Sequence, residues 1–182
     1  MIIQQRHKKY TSMENCFAPG RVTTVWADKG EQESIVQEIL GNCSFQLMRF
    51  INANNPDTIL NPKKIKRIVK KQTSYSFKEL EQVLCLEETY RKYRLDNWDY
   101  FKLELVQVIL EQPNILFLSE PFQHEEFSTI LYALSDYLPN TTFIFFDDSV
   151  MATDHSDDIL EAHEILPPEN IYHHEPDLAI LN

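Results

Sequence analysis

The sequence predicts an α/β fold, a mainly parallel sheet flanked by helices, and three stretches carry that expectation. Val22 to Trp26 is a short β-rich run, and apolar residues at helical spacing follow it: Ile35, Val36, Ile39, Leu40 and Cys43. A helical stretch from about Asp99 to Glu111 turns through Gln112, Pro113 and Asn114 into the apolar run Ile115 to Leu118. A third stripe, Phe127, Ile130, Leu131, Leu134 and Leu138, ends at Pro139 and Asn140 before the β-rich run Thr142 to Phe146. Strands that alternate with helices imply right-handed crossovers and parallel pairing.

Each element has a local reason. Ala27 to Ser34 reads as a turn, and the stripe that begins at Ile35 continues through Leu47, Met48 and Ile51, which describes one face of a single long helix. The Asn- and Pro-rich stretch Asn52 to Pro62 is a connection. Lys63 to Lys71 holds six basic residues in nine, with Ile65, Ile68 and Val69 between them, as in a solvated helix with one apolar face. Ser76 followed by Glu79 is a capping-box pattern opening a helix that runs to about Tyr90. Asp157 to Leu160 begins a further strand, and Pro167, Pro168 and Pro176 interrupt regular structure in the tail beyond it. Tyr10 and Trp26, at strand edges, are expected in the core rather than stacked on a ligand.

Composition narrows the function. A chain of 182 residues with 43% hydrophobic content buries one substantial core, so residues 1–182 are expected to form a single domain. The formal net charge of −11 repels nucleic acid and anionic lipid on average, so neither is an expected partner without a local basic patch. Cys16, Cys43 and Cys85 are odd in number and lack metal-type spacing, which suits a reducing compartment. No apolar run reaches the roughly 18 residues that span a bilayer, so a cytoplasmic protein is expected, at most peripheral to the inner face of the membrane. Gly20, Gly30 and Gly41 are the only glycines. Loops that wrap phosphate with consecutive backbone N–H groups draw on more than this.

The stretch Leu95 to Phe122, LDNWDYFKLELVQVILEQPNILFLSEPF, resembles the signature-to-Walker-B segment of the ATP-binding domains of ABC transporters, without a gap. Leu95, Pro113, the strand Ile115 to Leu118 and the pair Glu120-Pro121 fall at the family's offsets. The family's signature, LSGGQ, reads here Leu95-Asp96-Asn97-Trp98-Asp99, and the Walker B aspartate is Ser119. Strand, loop and helix over Gly20 to Gly41 match the P-loop order. Laid on the family's Walker A motif, Ala27 to Ser34 keeps Gly30 and Ser34 but places Glu33 where the lysine should be. After the strand Thr142 to Phe146, the family's Thr-His pair is Asp147-Asp148. The resemblance covers about Pro19 to Glu161. It implies a P-loop-NTPase-like fold with a shortened helical subdomain, residues 53–112.

What the resemblance implies about activity is loss. Glu33, Asp96, Asp99 and Asp148 put acids at four positions that should touch phosphate, and an opposed unit charge at about 4 Å costs on the order of 4 kcal/mol at an effective dielectric of 20. The vestigial nucleotide positions are therefore Gly30, Glu33 and Ser34; Leu95, Asp96, Asn97, Trp98 and Asp99; Ser119 and Glu120; and Asp148. No nucleotide and no metal is expected as cofactor. Glu120, at the family's catalytic-base position, is expected to be a hydrogen-bonding residue at a strand end. The expected function is that of a non-hydrolysing accessory or regulatory partner of a transporter membrane subunit or an active ABC ATPase. A homodimer is compatible with it, and Lys63, Lys64, Lys66, Arg67, Lys70 and Lys71 are the expected partner-binding surface. Two alternatives stand beside this reading. One is a weakly nucleotide-binding ATPase. The other is a metal-dependent phosphohydrolase that uses Glu120, Asp147 and Asp148 as oxygen ligands. His155, His163, His173 and His174 lack ligand spacing.

Overall fold

The computed structural model describes residues 17–42, 47–57, 60–72 and 77–166. Tyr10, Cys16, Cys43, Ser76, His173, His174 and the prolines of the tail lie outside them. Five strands form one parallel sheet in the order β2-β3-β4-β1-β5. They are β1 (Val22–Trp26), β2 (Met48–Asn52), β3 (Ile115–Ser119), β4 (Thr142–Phe146) and β5 (Asp158–Glu161). The longer helices are α1 (Lys29–Asn42), α2 (Pro62–Gln72), α5 (Asn97–Glu111) and α6 (Phe127–Tyr137). Shorter ones are α3 (Phe77–Val83), α4 (Leu86–Arg91), α7 (Val150–Asp154) and α8 (Ala162–Ile165).

Topology dictates which helix covers which face. The crossover from β1 runs past β4 and β3 to the edge strand β2, whereas those leaving β2, β3 and β4 run the other way. With all crossovers right-handed, opposite directions put helices on opposite faces. The alternation within the strands agrees with this. Ile115 and Phe117 of β3 and Ile144 and Phe146 of β4 pack with Ile35, Val36 and Ile39 of α1 and Ile165 of α8. Leu116 and Leu118 of β3 and Phe143 and Phe145 of β4 face α5 and α6, where Phe101, Leu105, Phe127 and Leu134 are buried. Phe122, just after β3, meets Phe127 edge to face at 5.0 Å and Phe145 at 5.4 Å, a favoured aromatic arrangement that closes this core at the carboxyl ends of the strands.

Three sequence expectations are corrected. The stripe from Ile35 to Ile51 is not one helix: α1 ends at Asn42, and Met48 to Asn52 is an edge strand paired with Ile115 to Ser119. Leu47, Met48, Phe50 and Ile51 fit a helical stripe and a short strand equally, and sheet pairing decides between them. The helix expected to end near Tyr90 is two helices, broken at Leu84 and Cys85, where Cys85 adopts a left-handed φ of 50°. Trp26 is 41% exposed at the end of β1 rather than in the core. The strand expected from Asp157 is present as β5 and pairs with β1 on the outer side. Among the described residues, no helix is long and apolar enough to cross a membrane.

Candidate functional site

In open parallel sheets, ligands sit beyond the carboxyl ends of the strands, where neighbouring crossovers diverge. Here that point lies between β1 and β4, because the connection from β1 leaves toward β2 and that from β4 leaves toward β5. The segments that meet there are Ala27 to Gln32 after β1, Asp147 to Ser149 after β4 and Ser119 to Gln123 after β3.

No phosphate-wrapping loop connects β1 to its helix. Two residues, Ala27 and Asp28, separate the strand from a helix that already starts at Lys29, so Gly30, Glu33 and Ser34 lie within the first turns of α1. Asp28 is the N-cap. Its carboxylate accepts from the Glu31 N–H at 2.9 Å, and the Glu31 carboxylate accepts from the Asp28 N–H at 3.0 Å, a reciprocal capping box. A helix N-terminus attracts anions through exposed N–H groups and the helix dipole. In this chain its own carboxylate takes that place. The turn-like reading of Ala27 to Ser34 missed this, although Asp28-x-x-Glu31 ahead of an apolar stripe is the sequence signal for it. Glu33 is exposed.

After β3, Glu120 stands with a left-handed φ of 53°, its N–H bonded to the Phe146 carbonyl at 2.9 Å. Its carboxylate accepts from the Asn54 side-chain amide and lies 3.7 Å from Lys29 Nζ, on a lysine that is mostly solvent-exposed. Asn97 donates to the Asn54 carbonyl, so one polar chain runs from the start of α5 through Asn54 and Glu120 to the start of α1. Ser119 is buried and its hydroxyl donates to Gln32 Oε1 of α1 at 3.3 Å. The structure thus brings Ser119 and Glu120 to the α1 start, with Asn97 linked to it only through Asn54 and Glu120, and it also recruits Gln32 and Asn54, which no sequence motif indicated.

The acids after β4 do separate work. Asp147 is buried and accepts from the backbone N–H of Phe122 at 3.2 Å and of Ser149 at 2.9 Å, tying the turn after β3 to the loop after β4. Asp148 is exposed. Among the described residues, no group of three His, Cys, Asp or Glu is arranged to hold a metal ion. Glu120, Asp147 and Asp148 do not form such a group. His155 bonds the Met151 carbonyl at 2.9 Å, and His163 sits 3.1 Å from Glu161.

At the signature positions the acids cap and bury. Asp96 is the N-cap of α5, with a second capping box: its carboxylate accepts from the Asp99 N–H at 2.9 Å, and Asp99 accepts from the Asp96 N–H at 3.1 Å. Asp99 is fully buried. It also accepts from Thr89 Oγ1 at 2.8 Å and Lys92 Nζ at 2.7 Å, with Lys102 Nζ at 3.7 Å. Burial pushes the Asp96 carboxyl up, but the Asp99 N–H and the Lys92 ammonium outweigh it and hold the carboxyl below its ordinary value. Hydrogen bonds from Lys92 to Asp99 and Asp96 raise the Lys92 ammonium. Trp98 stacks on His124 at 4.0 Å and donates to Glu126 at 3.0 Å. Burial lowers the His124 imidazole. Leu95 packs half-buried against the α5 and α6 core. The residues facing an incoming phosphate in the resemblance thus hold a helix start in place.

The basic run is α2, capped by Asn61, whose side chain accepts from the Lys63 N–H at 2.9 Å, with Pro62 in the first turn. Ile65 is buried, whereas Lys63, Lys64, Lys66, Arg67 and Lys71 are exposed; the Lys70 side chain lies outside the described set.

No model of a known protein family matches the sequence, and no curated protein does. Solved structures match the fold. One is cbiO1 from Clostridium perfringens, described as part of the ABC transporter complex cbiONQ, with a TM-score of 0.51 and 13% identity over 79% of this chain and 73% of that one. Another, described as the ATP-binding subunit of an ABC transporter, has a TM-score of 0.49 and 13% identity over 79% of this chain and 75% of that one. The cbiO1 likeness and the five-stranded parallel sheet flanked by helices define an α/β, P-loop-NTPase-like fold of the ABC ATPase kind.

Proposed function

We propose that this chain is a single ABC-ATPase-like domain that has given up nucleotide chemistry and acts by binding a protein partner, as an accessory or regulatory component of a transporter or of an active ATPase. Residues 53–112 serve as its reduced helical subdomain. The observation that carries the reading is the Asp28 carboxylate on the N–H of Glu31, which fills the helix terminus where a phosphate would need bare donors. Glu31, bonded back to the Asp28 N–H, adds a second negative charge there, and Ser119 offers magnesium a neutral hydroxyl. Nucleotide and Mg²⁺ do not fit this set of donors.

A partner is the function that remains for a retained scaffold. The similar cbiO1 structure is described as part of an ABC transporter complex, which supports a protein partner; a transporter membrane subunit or a paired ATPase, met at the membrane's inner face, is the partner proposed. The exposed cations of α2 give an otherwise acidic chain a steering surface for it. Isothermal titration with Mg-ATP tests the first half of the reading, and the expected result is no saturable binding. A dissociation constant below about 1 mM, roughly −4 kcal/mol, refutes it, as does ATP turnover abolished by Glu120→Gln. With the partner in hand, reversing the charges of Lys63, Lys64, Lys66, Arg67, Lys70 and Lys71 should slow association and flatten its salt dependence.

A further inference from the structure

Beside the first turn of α2, a concavity of about 750 Å³ opens between that helix and the connection from α4 to α5. Lys63 and Lys66 line it from α2, and Lys92 and Arg94 from the connection, with Tyr90 and Tyr93 between them. Among the described residues no Asp or Glu lines it, in a chain of 28 acids and 17 lysines and arginines. Composition alone would favour acids, so a cavity walled by Lys63, Lys66 and Arg94, beside a Lys92 paired with acids, departs locally from the protein's average field.

The four cations are not equivalent. Lys92 is already neutralised by Asp96 at 2.9 Å and Asp99 at 2.7 Å. Lys66 Nζ stands over the Tyr90 ring, 5.5 Å from its centroid, which holds the ammonium at the cavity wall. Arg94 and Lys63 are both exposed. Tyr93 is 97% exposed.

Resting on the reading that this chain works by binding a protein, we infer that the cavity between α2 and the α4–α5 connection is a docking groove for an acidic segment of that partner. Carboxylates of the segment meet Lys63 and Lys66 on one side and Arg94 on the other, and an apolar or aromatic side chain lies against Tyr93. The charge complementarity is local, which is what selects a short segment. A long polyanion extends beyond the groove into the field of a protein of net charge −11, whereas a peptide of a few residues stays within about a Debye length of the cations. Bidentate carboxylate recognition falls to Arg94, whose planar fork suits it, and Lys63 and Lys66 act as point charges.

Selection of random displayed heptapeptides on the full chain, with fluorescence anisotropy of the selected peptides, tests the groove. Two variants of equal charge change are compared: Lys63→Glu with Arg94→Glu inside the groove, and Lys64→Glu with Lys71→Glu outside it, both first shown by circular dichroism to melt like the parent. The expected result is enrichment of peptides with two or more acids. Their affinity should drop at least tenfold in the groove variant and less than twofold in the outer one, and Tyr93→Ala should weaken binding about threefold. Selected peptides without acids, or equal losses in both variants, overturn the inference, as does tighter binding of a thymidine oligonucleotide at the same residues. Failure here is distinguishable from failure of the underlying reading. Saturable Mg-ATP binding defeats that reading whatever the peptides do. A partner whose binding is lost in the outer variant alone defeats the groove and leaves the reading standing.

Discussion

Replacing Asp99 by alanine should be among the most damaging single changes in this protein, although the resemblance to the ABC signature suggests only a spent ligand contact there. The carboxylate is fully buried, and Lys102, with a side chain 5% exposed, lies 3.7 Å away. Removing one member of a buried pair leaves the other charge without compensation, which costs about 3–5 kcal/mol. Thr89 Oγ1 also loses its acceptor at 2.8 Å, and the Asp96 N–H loses its half of the capping box. Lys92 turns to solvent and Asp96, so it adds little. Against a total stability of about 5–15 kcal/mol, the loss is a large share of what holds the fold. Urea denaturation monitored by circular dichroism reads it directly. Asp99→Asn, which keeps an acceptor for Thr89, should cost less than Asp99→Ala. Asp99→Leu combined with Lys102→Met should recover much of the loss, because an apolar pair of similar volume replaces a desolvated ionic one. A cost below about 1 kcal/mol for Asp99→Ala, or no recovery in the double variant, would refute the assignment of Asp99 as the anchor of α5.

Three smaller perturbations test other parts of the structure. Gly20 has φ of 77°, and a Cβ there would stand 3.1 Å from the Pro139 carbonyl oxygen, so Gly20→Ala should lower stability by about 1–2 kcal/mol in the same urea assay. Burial raises the Glu104 carboxyl, so keeping it ionised at neutral pH opposes folding; Glu104→Gln, which preserves an acceptor for the Asp57 N–H, should raise the Tm at pH 7 and bring no gain in acid. Arg49 clasps Glu111 with two nitrogens across the edge strand, and the hydrogen bond from Arg49 is the main cause that holds the Glu111 carboxyl below its ordinary value. A lowered carboxylate contributes stability above its unfolded pKa, near 4.3, and loses it as pH falls through the folded value. Thermal melts of Glu111→Gln and parent should therefore differ at pH 6, and the difference should shrink as pH falls below about 4.

The alternation of strands and helices was legible because β1, β3 and β4 carry continuous apolar or β-branched runs, as strands buried on both faces must. The strand Thr142 to Phe146 has the bounds that its sequence indicates, between the turn at Pro139 and Asn140 and the acids Asp147 and Asp148. The edge strand β2 was not legible. It is half exposed, with Met48 and Phe50 open on one face, and its mixed pattern carries no period of its own until β3 offers backbone partners. The left-handed turn at Cys85 was likewise hidden, since no Gly, Asn or Asp marks it.

For the site, the residue types were legible and their employment was not. Counting acids at four phosphate positions suggests one cause, repulsion of an anion, yet the structure gives those acids three different situations. Asp96 caps α5 and Asp99 anchors it from within the core, while Glu33 and Asp148 face solvent. The acids that carry the argument against phosphate are Asp28 and Glu31, since a capping carboxylate holds the very N–H that an anion would need. Two causes of lost binding then differ in their remedy. If repulsion by Glu33 were the obstacle, Glu33→Lys would restore affinity. With the helix terminus already capped, Glu33→Lys should leave Mg-ATP binding undetectable by isothermal titration, and adding Asp28→Gly to bare the α1 N–H groups should be needed before any binding appears. Binding restored by Glu33→Lys alone would show that charge, and not the capped start of α1, keeps nucleotide out.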